Sequence, residues 1–430
     1  MSTRTKVEID PENVFRHYYK QHKVLNYEDI SHDLTPEVLL IDDLTTFKSP
    51  YYNIRVNNGS ALSEAESNEV LNSLKTRFND FMSLSTKGGN TSENIQDDPQ
   101  ILLENIPNCI TVDQLPGLRI IPNYLPVQVQ QILIESVIED YIPNENHLSN
   151  LHLHYKLPRR LTLFPEITKG NIGITDKLAD GTNLETDPTM KTIVNKIPRK
   201  SATSIEAIRE KQLRWITLGG QYNWTTKIYP TFEPHTPEFP DFPTNLCRLL
   251  GSSPNNLSSP SSSSLSYLDF DTLPQAAIVN FYSPGDILSP HQDVAELCQN
   301  DLLSLSIGCS AIFYIGLVKS CTERCSVGSK SDSDTINNEK EKDWLVPPLA
   351  VLVKSGDILI MGGQSRFAFH GIGKVFAGTC PEYLETPFLT LPSGSSVSEE
   401  PLVLKKWSFY GSWMRNKRVN INVRQMLKKV

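Results

Sequence analysis

The chain has 430 residues, of which 39% are hydrophobic and 21% charged, with a net charge of −8. That length leaves room for two or three domains and a full apolar core, and the composition is that of an ordinary soluble protein. No apolar run approaches the roughly 18 residues a membrane span needs, and seven scattered cysteines are not a disulfide framework.

The first hundred residues carry 16 acids against 10 bases and read as a peripheral, partly disordered helical extension (1–100). Glu8, Asp10 and Glu12 argue against a signal peptide or a mitochondrial presequence. An intracellular protein is expected, in cytoplasm or nucleus, with the mitochondrion left open. Phe15 to Lys23 is a short helix candidate, and Leu71, Leu74, Phe78, Phe81 and Met82 share one helical face. A compact unit resumes near Ile101, where Val127 to Tyr141 reads as an amphipathic helix. From Met190 to Trp215 seven bases face two acids, and Ser204 to Arg214 reads as a basic helix leading into Trp215–Tyr229.

Beyond residue 275 the pattern changes to period two. Ala276–Tyr282, Leu302–Ile307, Ala311–Leu317, Leu349–Lys354, Ile358–Met361 and Arg418–Arg424 are strand-like, with Gly356-Asp357 as a hairpin signal between two of them. Short strands without intervening helical patterns favour an antiparallel barrel or sandwich. Lid and flanking helices are expected over 101–275 and the core over 276–430, with mobile insertions at 252–266, 320–342 and 393–400. The last 26 residues, Lys405 to Val430, hold eight bases and no acid. With the 190–215 segment they form either a cationic surface or scattered solvated charges.

His291-Gln292-Asp293 places an imidazole and a carboxylate on one side of an extended segment. With a third ligand, for which His370 is the obvious partner, two histidines and a carboxylate suit non-haem Fe(II) chemistry with open positions. Taken alone the triplet is common, and a surface His and Asp without metal is its ordinary reading. In Arg418-Val419-Asn420-Ile421-Asn422-Val423-Arg424 the apolar residues share one face and the polar residues the other. Such a strand is ordinarily a half-exposed edge. In a barrel with a metal at its mouth the polar face points inward instead, where a guanidinium needs an anion such as a dicarboxylate. Asn280 and Tyr282, also spaced by two, add neutral donors. His152-x-His154 has metal-pair spacing but no evident third ligand, and Cys321 and Cys325 have no partner pair.

Asn280-Phe281-Tyr282, Ser289-Pro290-His291-Gln292-Asp293 with Glu296, Ser304 to Gly308, Gly356-Asp357-Ile358-Leu359-Ile360, Gly362-Gly363-Gln364-Ser365-Arg366 running to His370-Gly371, and the final Arg-x-Asn-x-Asn-x-Arg strand occur in one order over 276–424. This set resembles the Fe(II)/2-oxoglutarate dioxygenases of the AlkB type. Leu213 to Gly219, Tyr222-Asn223-Trp224, Phe313 and Arg418 to Met426 look closest to the eukaryotic AlkB homologue 1 branch, and below Leu118 the likeness fades.

The resemblance implies an α+β fold with a mainly β catalytic core, a double-stranded β-helix (jelly roll) behind an N-terminal helical extension. It implies Fe(II) on His291, Asp293 and His370, with 2-oxoglutarate and O2 as co-substrates. Arg418, helped by Tyr282 and Asn420, would hold the distal carboxylate of 2-oxoglutarate; Arg424 and Asn280 would support its other end, and Glu296 would orient Arg424. The implied reaction hydroxylates a C–H bond while 2-oxoglutarate becomes succinate and CO2. On an N-methylated base it ends in loss of formaldehyde. Trp215, Tyr222, Trp224 and Tyr229 are the expected substrate lid, against the plainer reading that some of them only pack it. Ala295 stands where bacterial AlkB has an acid that helps read the base. Modified bases in tRNA or other RNA are expected ahead of DNA, with a monomer and no membrane partner. The alternatives are side-chain oxidation of a histone or other basic protein, which the acidic N-terminal region would favour, and a catalytically silent nucleic-acid-binding module.

Overall fold

The computed structural model describes residues 38–41, 50–60, 62–86, 105–156, 161–164, 204–222, 240–251, 272–318, 347–386 and 402–427, with isolated residues between these runs. The expected helix at Phe15–Lys23, the three expected insertions and Cys321 and Cys325 lie outside the described residues. In chain order the strands are β1 (Val38–Leu40), β2 (Ile54–Asn57), β3 (Cys109–Val112), β4 (Leu118–Ile121), the short pair β5 and β6 (Tyr155–Lys156 and Lys200–Ser201), β7 (Trp215–Gly219), β8 (Ala276–Tyr282), β9 (Leu288–His291), β10 (Leu302–Gly308), β11 (Ala311–Gly316), β12 (Leu349–Val353), β13 (Ile358–Met361), β14 (Phe369–Val375) and β15 (Arg418–Arg424). The helices are α1 (Glu64–Thr86), α2 (Val127–Ser136), α3 (Asn150–His154), α4 (Ile205–Ala207), α5 (Thr244–Leu249) and α6 (Leu402–Met414). None among the described residues is long and apolar enough to cross a membrane.

Two sheets make the core. The larger runs β2-β3-β4-β13-β10-β15-β8-β7, antiparallel throughout, and the smaller runs β1-β12-β11-β14-β9, antiparallel except for β1 beside β12. The two share one buried cluster, to which the larger contributes Ile120, Leu359 and Met361 and the smaller Phe313, Val351 and Ile372. Period-two alternation decides what faces outward. Val419, Ile421 and Val423 of β15 join Leu303, Leu305 and Ile307 of β10 in a second cluster, beneath Phe78 of α1, Leu133 of α2 and Trp413 of α6. The apolar side of β15 is therefore covered by helices, and its polar side lies between the sheets.

Three expectations are corrected. Helix α1 is not peripheral: Leu74, Phe78 and Phe81 are buried in the main core, although Leu71 is only half-buried. Its start is a capping box, in which Glu66 accepts from the Ser63 amide at 2.8 Å and Ser63 Oγ accepts from the Glu66 amide at 3.3 Å. The larger sheet also begins well before residue 276, because β2, β3, β4 and β7 extend it on both sides. Finally, Gly356-Asp357 is not a hairpin, since β12 and β13 belong to opposite sheets. The turn carries the chain across the core, with Gly356 at φ +91°, where an added Cβ would lie 2.7 Å from Gln130 Nε2. The Asp357 carboxylate closes the turn by accepting from the Asn123 and Lys354 amides at 3.0 and 2.6 Å.

Candidate active site

Among the described residues β9 is an edge strand hydrogen-bonded to β14 alone, and the ladder pairs His291 with His370 before its register shifts at Gly371. Glycine is required there: an added Cβ would stand 2.5 Å from the Leu288 carbonyl oxygen. The close approach sets the two imidazole centroids 4.5 Å apart. Just past the strand, Asp293 places Oδ1 3.6 Å from His291 Nε2 and Oδ2 3.9 Å from His370 Nε2. His291, Asp293 and His370 each offer a ligand atom, all within 4.8 Å of one another.

Both rings are oriented from behind. His291 Nδ1 lies 3.0 Å from the Ser289 oxygen and His370 Nδ1 lies 3.1 Å from the Ala368 oxygen. A carbonyl only accepts, so each Nδ1 carries a proton, which leaves Nε2, the ring nitrogen nearer Asp293, as the ligand atom. Burial, with His291 alongside, lowers the His370 pKa to about 4 despite Asp293, so the ring is neutral at pH 7. Burial alone would raise the Asp293 pKa, but Arg424, His291 and His370 override it and hold the carboxyl far below its usual range. Two imidazoles and one carboxylate form a donor set that fits a divalent transition metal.

On the polar face of β15, Arg424 Nη2 donates to Asp293 Oδ2 at 3.0 Å and Nη1 to Glu296 Oε1 at 3.1 Å. Burial is outweighed by Asp293, Tyr229 and Glu296, which raise the Arg424 pKa. Arg418 is 1% exposed, donates from Nη2 to Ser306 Oγ at 2.8 Å, and among the described residues has no partner for Nε or Nη1. Tyr282, in register on β8, lies beneath it with 5.5 Å between guanidinium carbon and ring centroid. Burial pulls the Arg418 pKa down to about 10, still charged at pH 7. An ionised guanidinium with two free donors fits a carboxylate. Asn420 is buried and donates to Ser304 Oγ and the Leu305 oxygen, both at 2.9 Å, and half-buried Asn280 is its register partner.

The lid residues divide. Trp215 extends the register row Ser306, Asn420, Asn280 onto β7 and is half-buried. Tyr222, also half-buried, meets buried Tyr229 edge to face at 5.1 Å, and the Tyr229 hydroxyl accepts from Arg424 Nη1 at 3.5 Å. Ala295 packs against the small apolar cluster of Tyr229, Ala276 and Met426. Trp224 lies outside the described residues.

Of the two basic segments, read as either a cationic surface or scattered solvated charges, several described members are paired. Lys406 Nζ is 2.8 Å from Glu139, Arg415 Nε is 2.8 Å from Glu385, and Lys417 is buried, donating to the Glu210 oxygen and Ser283 Oγ. Arg214 pairs with Asp286, and residues 190–199 lie outside the described residues. His152 caps α3, its Nδ1 taking the Ser149 amide at 3.0 Å. Sequence reasoning missed Arg366, which is 3% exposed and reaches Glu296 Oε2 at 2.9 Å, the Asn300 oxygen at 3.0 Å and the Asp293 oxygen. Its signal was an arginine set against the apolar run Phe367-Ala368-Phe369.

The model of the 2OG-Fe(II) oxygenase superfamily matches residues 182–424, and the chain belongs to that family. The chain is 33% identical over 312 residues to the N6-methyladenosine RNA demethylase ALKB1 of Pyricularia oryzae, spanning 73% of this chain and 75% of the relative. It is 36% identical over 277 residues to the N6-methyladenosine RNA demethylase ALKBH of Cryphonectria parasitica, spanning 64% and 99%. To the tRNA demethylase abh1 of Schizosaccharomyces pombe it is 32% identical over 328 residues, spanning 76% and 84%. The protein is an AlkB-type dioxygenase of the ALKBH1 branch, with Fe(II) as cofactor and 2-oxoglutarate and O2 as co-substrates.

Proposed function

We propose that this protein oxidatively demethylates N-methylated nucleobases, in RNA and above all tRNA, from a jelly-roll core formed by the two facing sheets with an N-terminal extension packed against it. His291, Asp293 and His370 would hold the iron. Bound together, iron, 2-oxoglutarate and O2 supply hydroxylation of a C–H bond coupled to release of succinate and CO2. On an N-methyl group the resulting hydroxymethyl amine loses formaldehyde.

The observation that carries the proposal is Arg418, a buried guanidinium with two donors unpartnered among the described residues, on the same strand as Arg424, which already holds Asp293. A buried cation left half-satisfied is costly, and the far carboxylate of 2-oxoglutarate offsets that cost. Tyr282, kept protonated by burial with a pKa near 12, can donate to the same carboxylate. Asn420, held by Ser304, and Asn280 supply neutral polar groups beside it. A base must leave its stack to reach such a site, and half-buried Tyr222 and Trp215 offer aromatic faces for it. The preference for RNA is supported by the relatives, named as N6-methyladenosine RNA and tRNA demethylases.

The deciding measurement is succinate release from 2-oxoglutarate, with and without bulk tRNA, for wild type and Asp293→Ala. Release stimulated by tRNA and lost in the variant is expected. Release indifferent to tRNA would redirect the search to DNA or protein, and silence of the wild type would sink the proposal.

A further inference from the structure

We propose that Arg366 is a positioning residue that ties together the two ligand-bearing segments and sets how Arg424 is shared. The inference rests on the reading of His291, Asp293 and His370 as iron ligands. Arg366 sits in the tight turn Gly363–Phe367, which ends two residues before β14 delivers His370. Its donors reach the other segment at three points: the main-chain oxygen of Asp293, the Glu296 carboxylate at 2.9 Å and the main-chain oxygen of Asn300 at 3.0 Å. One planar fork thus fixes the stretch from Asp293 to Asn300 against the turn that leads into His370. A flexible ammonium does not reproduce that geometry.

Glu296 transmits the effect. Its side chain is 0% exposed, and its two oxygens are divided, Oε2 to Arg366 and Oε1 to Arg424. Arg424 is divided in turn between Glu296 and Asp293 Oδ2, at 3.1 and 3.0 Å. The chain Arg366, Glu296, Arg424, Asp293 alternates cation and anion in a site where each charge needs its neighbours. Removing Arg366 leaves Glu296 with Arg424 as its one remaining ion-pair partner among the described residues. Arg424 is then drawn toward Glu296 and away from Asp293. A ligand carboxylate that loses its orienting partner binds metal more weakly, typically by about 10- to 100-fold.

This predicts a pattern that a merely structural arginine would not produce. In Arg366→Met, Mn(II) binding to the full chain, followed by electron paramagnetic resonance without turnover, should weaken by about tenfold or more. Adding Glu296→Gln removes the competing anion, returns Arg424 to Asp293, and should recover most of that loss although a second buried group has been altered. Arg366→Lys, which keeps the charge without the fork, should fall between wild type and Arg366→Met. It carries the comparison if Arg366→Met proves unfolded by circular dichroism. Equal Mn(II) affinity of wild type and the single variants would overturn the inference and leave the iron reading intact. A double variant no better than Arg366→Met would reduce Arg366 to ordinary packing, which also overturns it. A wild type that takes up no Mn(II) would instead remove the iron reading on which the inference stands.

Discussion

Arg418 and Tyr282 face each other across the β15–β8 ladder, cation over ring at 5.5 Å, and two of the cation's donors have no partner among the described residues. Such a pair is poor at stabilising a fold and well suited to receiving an anion. Arg418→Met should therefore leave the thermal midpoint unchanged or raised, because it deletes a buried charge with unmet hydrogen bonds. The same change should raise the KM for 2-oxoglutarate about 100-fold, the loss of two charge-assisted hydrogen bonds. A lowered midpoint with unaltered KM would place the co-substrate elsewhere.

Metal linkage gives a second check. At a Mn(II) concentration about 100 times its Kd, wild type should gain about 2.7 kcal/mol against unfolding. Asp293→Ala should gain nothing, and chelation should return wild type to its metal-free midpoint. Stabilisation that survives in the variant would mean the ion binds at some other place.

Gly371 is the most economical way to disturb the site without touching a ligand. In Gly371→Ala the new methyl meets the Leu288 oxygen at 2.5 Å, so β9 must move away from β14 and take His291 from His370. Displacement on the scale of 1 Å costs activity about 100-fold. Succinate release per enzyme measures this, and an undiminished rate would show that the ladder has slack.

His147 supplies a pH test outside the site. Burial lowers its pKa from 6.5 to about 4, and Nε2 has no partner among the described residues while Nδ1 meets the Tyr141 oxygen at 2.8 Å. Between those two values the unfolded chain binds more protons than the folded one, so stability falls as pH is lowered through the window. Urea unfolding of wild type and His147→Gln should show their difference shifting by on the order of 3 kcal/mol from pH 7 to pH 4. A constant difference would mean the ring is not held neutral.

Pairing also predicts where tRNA binding will not respond. Lys406→Gln and Arg415→Gln remove cations already matched to Glu139 and Glu385. Each should alter tRNA affinity less than twofold, with the salt dependence unchanged, whereas a phosphate-binding lysine would lower the slope by about 1. Filter binding across a salt series decides it.

Much of this was legible in local pattern. Alternation in Arg418–Arg424 separated the helix-covered face from the polar one, and the i, i+2 spacing of His291 and Asp293 put imidazole and carboxylate together. What stayed hidden depends on partners distant in sequence. Lys406 counts as a free charge until Glu139 is found beside it, and Arg366 is one more motif arginine until Glu296 is seen between it and Arg424. Gly356-Asp357 has hairpin chemistry, yet each flanking strand pairs with other partners, β12 with β11 and β1 and β13 with β10 and β4. The turn motif carries no trace of that.

The position of β9 has a consequence for breathing motions. Among the described residues β9 is bonded on one side, and such a strand is the first to open, so in the metal-free protein the amides of Leu288, Ser289 and His291 should exchange with solvent ahead of those in β10 and β15, which lie inside the larger sheet. An ion bridging His291 and His370 would rivet that loose margin to its neighbour. Loading would then read out as a local slowing of exchange, confined to one border of the smaller sheet, before any substrate is present.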